Sequence, residues 1–243
     1  MAERSGPLDG VRALCFDVFG TVVDWRGSLI REFRALAAAK GIRIDAAALA
    51  DAWRAGYAPA MDRVRKGALP WLHIDALHRM ILDELLPRFD LASVLTEAEK
   101  IELNRAWHRL RPWPDSRRGL RRLKKAFTIA TLSNGNVSLL NDMAKNAGLP
   151  WDLVLSAELF QHYKPDPETY LGAARLIGIA PGELLMVAAH KSDLRAAAAC
   201  GVRTALVQRP LEYGAGRHPD PGPDPAFDLN VRDFLDLAEK LGA

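Results

Sequence analysis

The sequence predicts an α/β fold, a doubly wound parallel sheet with helices inserted into it, on three observations. Apolar runs of strand length stand at 14–16, 127–132, 153–155, 184–189 and 204–207, and those of the second half alternate with stretches of helical period. Strands so uniformly apolar belong to a parallel sheet covered on both faces. Residues 27–110 carry helical period throughout and no strand pattern, so they interrupt the alternation as an insertion.

Each element has a local reason. The strand at 14–16 gives way at Asp17 to a turn permitted by Gly20. A helix over 28–41 puts Leu29, Phe33 and Leu36 on one face, and a second spans 46–66. A third, over 72–86, repeats Ile74, Leu77, Ile81 and Leu85 before Pro87 ends it. Thr96 and Glu99 form a capping box for a fourth helix running towards Trp107. After the strand at 127–132, a helix over 137–147 stops at Gly148. Asp166 and Pro167 read as N-cap and first residue of a helix that reaches Ile177 and closes at Gly178. A helix over 192–200 separates the last two strands, a Pro/Gly-rich loop covers 209–225, and a helix over 231–241 closes the chain. The expected organisation is a Rossmann-like core of residues 1–26 and 111–243, with residues 27–110 as a helical-bundle cap that leaves just after Asp17 and roofs the strand ends.

Composition excludes several function classes. With 243 residues, 49% of them hydrophobic, the chain can bury a sizeable core. Its 33 basic and 30 acidic residues leave +3, too mild a charge to imply nucleic acid. The run Arg117, Arg118, Arg121, Arg122, Lys124 and Lys125 reads as a solvated helix face, since no aromatic residues interleave with it. No apolar run approaches the ~20 residues needed to cross a bilayer, and no signal-peptide core opens the chain, so the cytoplasm is the expected compartment. The two cysteines, Cys15 in a strand and Cys200 in a helix, read as reduced buried thiols.

In open parallel sheets, ligands bind beyond the carboxyl ends of the strands. Asp17 follows the first strand, Ser133, Asn134 and Gly135 the second, Lys164 lies downstream of the third, and His190 and Asp193 follow the fourth. Four segments far apart in sequence thus converge on one crevice. Position 19 is Phe, so a second carboxylate two residues past Asp17, which chemistry on Mg²⁺ and phosphate would want, is missing.

With these residues in hand, the chain resembles the haloacid dehalogenase superfamily over nearly its whole length. Asp17-Val18-Phe19-Gly20-Thr21 is similar to the nucleophile motif, Thr131 to Gly135 to the second, Lys164-Pro165 to the third, and Ala188 to Asp193 to the acidic fourth. An aromatic at position 19 resembles the 2-haloacid dehalogenase branch, in which halide departs without a proton and neither metal nor other cofactor is required. The resemblance implies a small haloacid substrate, attack by Asp17 on its Cα, an ester on Asp17, and hydrolysis of that ester to the 2-hydroxyacid. It also implies roles. Ser133, with the backbone N–H groups near Val18, Phe19 and Asn134, holds the substrate carboxylate. Lys164 pairs with Asp17, Thr21 steadies it, and Asp193 orients Lys164 and helps activate the hydrolytic water. Tyr170 lies near the site. Trp53-Arg54 resembles the aromatic-Arg pair of the cap, with Arg54 receiving the halide and Tyr57 one turn away. Trp113, where the chain re-enters the core, reads either as a pocket-wall residue or as a core or hinge aromatic.

The fourth motif departs from the common pattern, carrying Ala188 and His190 where Ser and Asn are usual. His190 is therefore expected to donate to the halide or the ester, a compact arrangement suited to fluoroacetate-type substrates; the competing reading is a core histidine satisfied by backbone. Relatives also imply a homodimer. The principal rival is a Mg²⁺-dependent phosphatase or a phosphonate hydrolase of the same superfamily, the latter needing a cap lysine, for which Lys40 and Lys66 are the candidates. A catalytically idle scaffold would break up the active-site set, yet Asp17 and Lys164 are both present.

Overall fold

The computed structural model describes residues 8–217 and 222–243. Along the chain run β1 (Ala13–Phe16), β2 (Val23–Asp24), α1 (Trp25–Lys40), α2 (Ala46–Arg65), α3 (Ile74–Leu85), α4 (Glu97–Asn104), β3 (Arg111–Pro112), α5 (Ser116–Leu123), β4 (Thr128–Ser133), α6 (Val137–Ala147), β5 (Leu153–Ser156), α7 (Pro167–Ile177), β6 (Leu184–Ala188), α8 (Lys191–Ala199), β7 (Arg203–Val207), β8 (Leu229–Val231) and α9 (Phe234–Lys240). Six strands form one parallel sheet in the order β5-β4-β1-β6-β7-β8. The four residues of β1 are buried, as a central strand covered on both faces requires.

Register explains why the motifs meet. Phe16 pairs with Thr131 of β4 on one side and Val187 of β6 on the other, so the three strands end almost level. Chain order reverses on the two sides of β1, which makes the crevice beyond its end the switch point of the sheet. Asp17 follows β1 directly at that crevice.

No strand lies between Asp24 and Arg111. The chain leaves through β2 and returns through β3, and these two short strands pair antiparallel, Val23 with Pro112 and Asp24 with Arg111. Ser116 Oγ donates to the Val22 carbonyl at 2.7 Å and Trp113 Nε1 to the Gly20 carbonyl at 2.8 Å, so both crossings are tied to the turn that follows Asp17. Helix α2 packs between α1 and α3 around Phe33, Leu49, Trp53 and Leu77, all inaccessible to solvent. Each such side chain stabilises by roughly 1.5–3 kcal/mol through burial. Polar contacts seat the helices on the sheet. Arg65 of α2 reaches Asp166 at the start of α7 at 2.7 Å, and His108 stands between Asp75 of α3, at 3.0 Å, and Asp142 of α6, at 2.9 Å.

Most expected elements are present, with differences that have physical reasons. Helix α1 begins at Trp25, because Asp24 caps it by accepting from Gly27 N at 2.7 Å. The capping box of Thr96 and Glu99 is formed, but α4 ends at Asn104 and the chain tightens into a 3₁₀ turn over Arg105–Arg109 before Trp107 is passed in α-helical form. The closing helix expected over 231–241 is a strand and then a shorter helix: β8 takes Val231 into the sheet edge beside β7, and Asp233 caps α9. Cys15 is buried, whereas Cys200 lies just past the end of α8 and is only half-buried. The expected loop over 209–225 is present as far as it can be followed; residues 218–221 lie outside the described ones. The basic residues of α5 face solvent while Gly119, Leu120 and Leu123 pack inward. Among the described residues no helix is long and apolar enough to cross a membrane.

Candidate active site

A cleft of about 360 Å³ opens where β1, β4 and β6 end, floored by Asp17, Lys164 and His190 and roofed by Arg54 and Tyr57 of α2. Asp17 is 7% exposed and fully engaged. Its Oδ1 accepts from Lys164 Nζ at 3.0 Å; its Oδ2 accepts from Thr21 Oγ1 at 2.6 Å and faces His190 Nδ1 at 3.2 Å. Thr21 Oγ1 in turn accepts from Ala189 N at 2.9 Å, which locks the turn after β1 to the end of β6.

Lys164 sits between two carboxylates, 2.5 Å from Asp193 Oδ2 as well as 3.0 Å from Asp17. The other oxygen of Asp193 accepts from Tyr170 OH, also at 2.5 Å. Asn134 fixes the backbone that carries the lysine, accepting from Lys164 N at 2.7 Å and donating to the Lys164 carbonyl at 3.3 Å. Burial alone would push the Asp17 carboxyl up, but Lys164, then His190 and Thr21, more than offset it and hold Asp17 well below the usual carboxylate range. Burial likewise opposes the charge on Lys164, and Asp17 and Asp193 overcome it, raising its pKa. The floor of the cleft therefore favours an ionised carboxylate beside a protonated lysine.

His190 is not a core histidine satisfied by backbone. Its Nε2 lies 3.0 Å from both oxygens of Glu212, a side chain with no exposed surface, which also accepts from Trp25 Nε1 at 3.0 Å. Burial disfavours the imidazolium, yet Glu212 and Asp17 raise the His190 pKa to about 10. Glu212 lies in the loop after β7, where no period or motif singled it out; a signal was present only in the histidine of the fourth motif, which when charged and half-buried favours an anion beside it.

Above the floor, the Arg54 guanidinium lies 4.4 Å from the centre of the Tyr57 ring, and its Nη1 atom is buried with no hydrogen-bond partner. A buried cationic donor left open beside a cleft is a ready site for an anion. Phe19 also faces the cleft, but its ring is packed edge-on against Tyr57 and Trp107, so position 19 anchors the helices and offers no polar group.

Of the residues singled out from sequence, Asp17, Phe19, Arg54, Asn134, Lys164, Tyr170, His190 and Asp193 line the cleft, with Thr21 behind Asp17. Ser133 is fully buried off the cleft wall, where its hydroxyl accepts from Gly135 N at 3.1 Å, and the Val18 side chain is part of the core, the expectation at Val18 having concerned its backbone N–H. Trp113 is likewise off the wall, its indole bonded to the Gly20 carbonyl. Met61, Ser192 and Tyr213 line the cleft without having been expected there.

A family model for haloacid dehalogenase-like hydrolases matches residues 11–201. The (S)-2-haloacid dehalogenase 4A of Burkholderia cepacia is 31% identical over 219 residues, covering 85% of this chain and 88% of its own. Among solved structures, the L-2-haloacid dehalogenase PA0810 is 51% identical with a TM-score of 0.93, covering 96% of this chain and 99% of that one. The defluorinating L-2-haloacid dehalogenase Rha0230 is 46% identical with a TM-score of 0.93, covering 96% of both.

Proposed function

The chain belongs to the haloacid dehalogenase-like hydrolases, and from that premise we propose that it hydrolyses the carbon-halogen bond of short 2-haloacids through an ester on Asp17. The observation that carries this reading is the setting of Asp17: a buried carboxylate 3.0 Å from Lys164 Nζ and 3.2 Å from His190 Nδ1, with Phe at position 19.

In the first step a carboxylate oxygen of Asp17 attacks Cα of the haloacid, the carbon-halogen bond breaks, and halide leaves with the bonding pair. Displacement at carbon needs no proton for the leaving group, only a donor to receive the anion; Arg54 Nη1 is that donor. Lys164 and Thr21 orient Asp17, and Asn134 and Tyr170 hold the lysine and Asp193 in place. In the second step water cleaves the ester, restoring Asp17 and releasing the 2-hydroxyacid. Residues 27–110 act as a cap that excludes bulk water from the nucleophile, which would otherwise be solvated and weak. The small haloacid is the partner this site takes; cytoplasmic location and homodimerisation go with the same reading, the latter open to light scattering.

The rival reading through Mg²⁺ and a phosphoryl group fits the residues poorly. A divalent cation would have to displace Lys164 and His190 from Asp17, and no carboxylate stands at position 19 to help hold it. Neither cap lysine suits imine chemistry: Lys40 is paired with Glu99 at 2.6 Å, and Lys66 is exposed beside Asp62. The test is halide release from a panel of 2-haloacids with and without EDTA, coupled to single turnover in heavy-oxygen water. We expect chelator-resistant halide release and label in Asp17 before product. Turnover retained by Asp17→Asn, or strictly Mg²⁺-dependent phosphate release, overturns the reading.

A further inference from the structure

We propose that His190, backed by Glu212, is the base that activates water to cleave the Asp17 ester. The inference rests on the dehalogenase reading and assigns its second step.

Each nitrogen of His190 faces a carboxylate: Nδ1 is 3.2 Å from Asp17, and Nε2 is 3.0 Å from Glu212. This is the geometry of a general base beside the reacting group, with a third group fixing its orientation. The seat of Glu212 is built into the nucleophile turn. Gly20 has φ +86°, and a Cβ there would lie 2.1 Å from Glu212 Oε1, so the residue between Phe19 and Thr21 gives up its side chain to the space the carboxylate occupies. Trp25 Nε1 clamps the same oxygen from α1. Asp193 is a poor alternative, because its two oxygens are committed to Lys164 and Tyr170 at 2.5 Å each. It is a positioning residue for the lysine.

The charge balance follows the reaction. In the free enzyme Asp17 and Glu212 together keep His190 protonated, with Lys164, Arg54 and Tyr213 as the other titratable groups around them. When Asp17 becomes a neutral ester, Nδ1 loses the carboxylate it faced, and the proposed step requires that its proton then pass to solvent, with Glu212 remaining as the partner of Nε2. That proton is the one the overall reaction must release with halide. Nδ1 then faces the ester with a free electron pair, and Glu212 holds the remaining proton on Nε2. Water adds to the ester carbon and gives one proton to Nδ1. The carbon-oxygen bond to the hydroxyacid breaks, and the other water proton ends on the departing alkoxide. Asp17 is again a carboxylate and His190 again a cation.

Rapid-quench kinetics with chloroacetate, read by chloride release and by mass spectrometry of the Asp17 peptide, test this. For His190→Gln and Glu212→Gln we expect a burst of one chloride per active site, then turnover slowed about 10²-fold or more, with a carboxymethyl ester accumulating on Asp17. The Gln at 212 keeps an acceptor for Trp25 but turns an amide donor towards Nε2, leaving Nδ1 in the protonated form that cannot accept. Asp193→Asn should instead lose the burst. Slowed turnover in both Gln variants without an adduct, or wild-type turnover in either, overturns the assignment of the base. Absence of chloride release by the wild-type enzyme on every haloacid overturns the dehalogenase reading itself.

Discussion

Lys164 Nζ lies 3.0 Å from Asp17 Oδ1, a contact between residues 147 positions apart that both have little exposed surface. The pair is expected to set the acid limit of activity. Burial would raise the Asp17 pKa, and Lys164 is the largest influence against it. Lys164→Met should therefore let the Asp17 pKa rise, moving the acid limb of the pH-activity profile upward, with residual turnover reduced about 10²-fold or more. The linkage has a definite sign. Asp17 is depressed on folding, so its contribution to stability is present above about pH 4 and lost as pH falls through its folded value; Lys164 is raised, so its contribution is present below its ordinary 10.5 and lost above. Wild-type protein should lose stability in acid more steeply below about pH 4 than the variant, in which this contribution is reduced, as read by thermal melts across pH. An unmoved acid limb in Lys164→Met would disprove the coupling.

Arg54 and Arg63 share helix α2 yet differ in setting. Arg54 stacks on Tyr57 with Nη1 buried and open, while Arg63 is exposed to solvent. Removing a preorganised donor to developing negative charge costs about 10²–10³ in kcat. Arg54→Ala should fall in that range with small 2-haloacids, and Arg63→Ala should stay within about twofold of wild type, as surface substitutions do. Equal small effects at the two positions would remove Arg54 from the halide site.

Arg209 makes a bidentate pair with Asp115 at 2.8 and 2.9 Å and donates from Nε to the Thr21 carbonyl at 2.8 Å, all away from solvent. Arg209→Met leaves Asp115 buried without its cation, an arrangement that typically costs about 3–5 kcal/mol. For a chain of this size Tm should drop by roughly 10 °C. A change under about 2 °C in differential scanning calorimetry would mean that water or a rearranged neighbour replaces the guanidinium.

What could be read from the sequence divides along these same contacts. The strands and the motifs at their ends were legible because a parallel strand buried on both faces must be uniformly apolar, and Asp17, Lys164 and Asp193 interrupt or follow such runs. The paired β2 and β3 were not, since two residues, one of them Pro112, carry no period. β8 was missed because Asn230 breaks an already short apolar run at the sheet edge. Glu212 and Arg209 lie in a Pro/Gly-rich loop, where position relative to Gly20, Thr21 and Trp25 is fixed only by the folded sheet. Ser133 was expected from the resemblance to hold the substrate carboxylate by its hydroxyl, but that side chain is fully buried and accepts from Gly135 N, while Asn134 lines the cleft.

Fluoroacetate and chloroacetate distinguish the two halves of the reaction, because both leave the same ester on Asp17 once halide has gone. The rate of ester breakdown, which depends on His190 and Glu212, should be identical for the two substrates in single-turnover experiments. Any difference in kcat must then arise in halide expulsion, where the buried donor of Arg54 and the His190 ring face the cleft. Fluoride, being small and a strong hydrogen-bond acceptor, gains most from close donors, so the enzyme should release fluoride from fluoroacetate as well as chloride from chloroacetate, and Arg54→Ala should depress fluoride release more. Ion-selective electrodes for the two halides give the comparison directly. Ester decay that differs between the substrates would show that halide remains bound while water attacks, and would require its departure to be coupled to the second step.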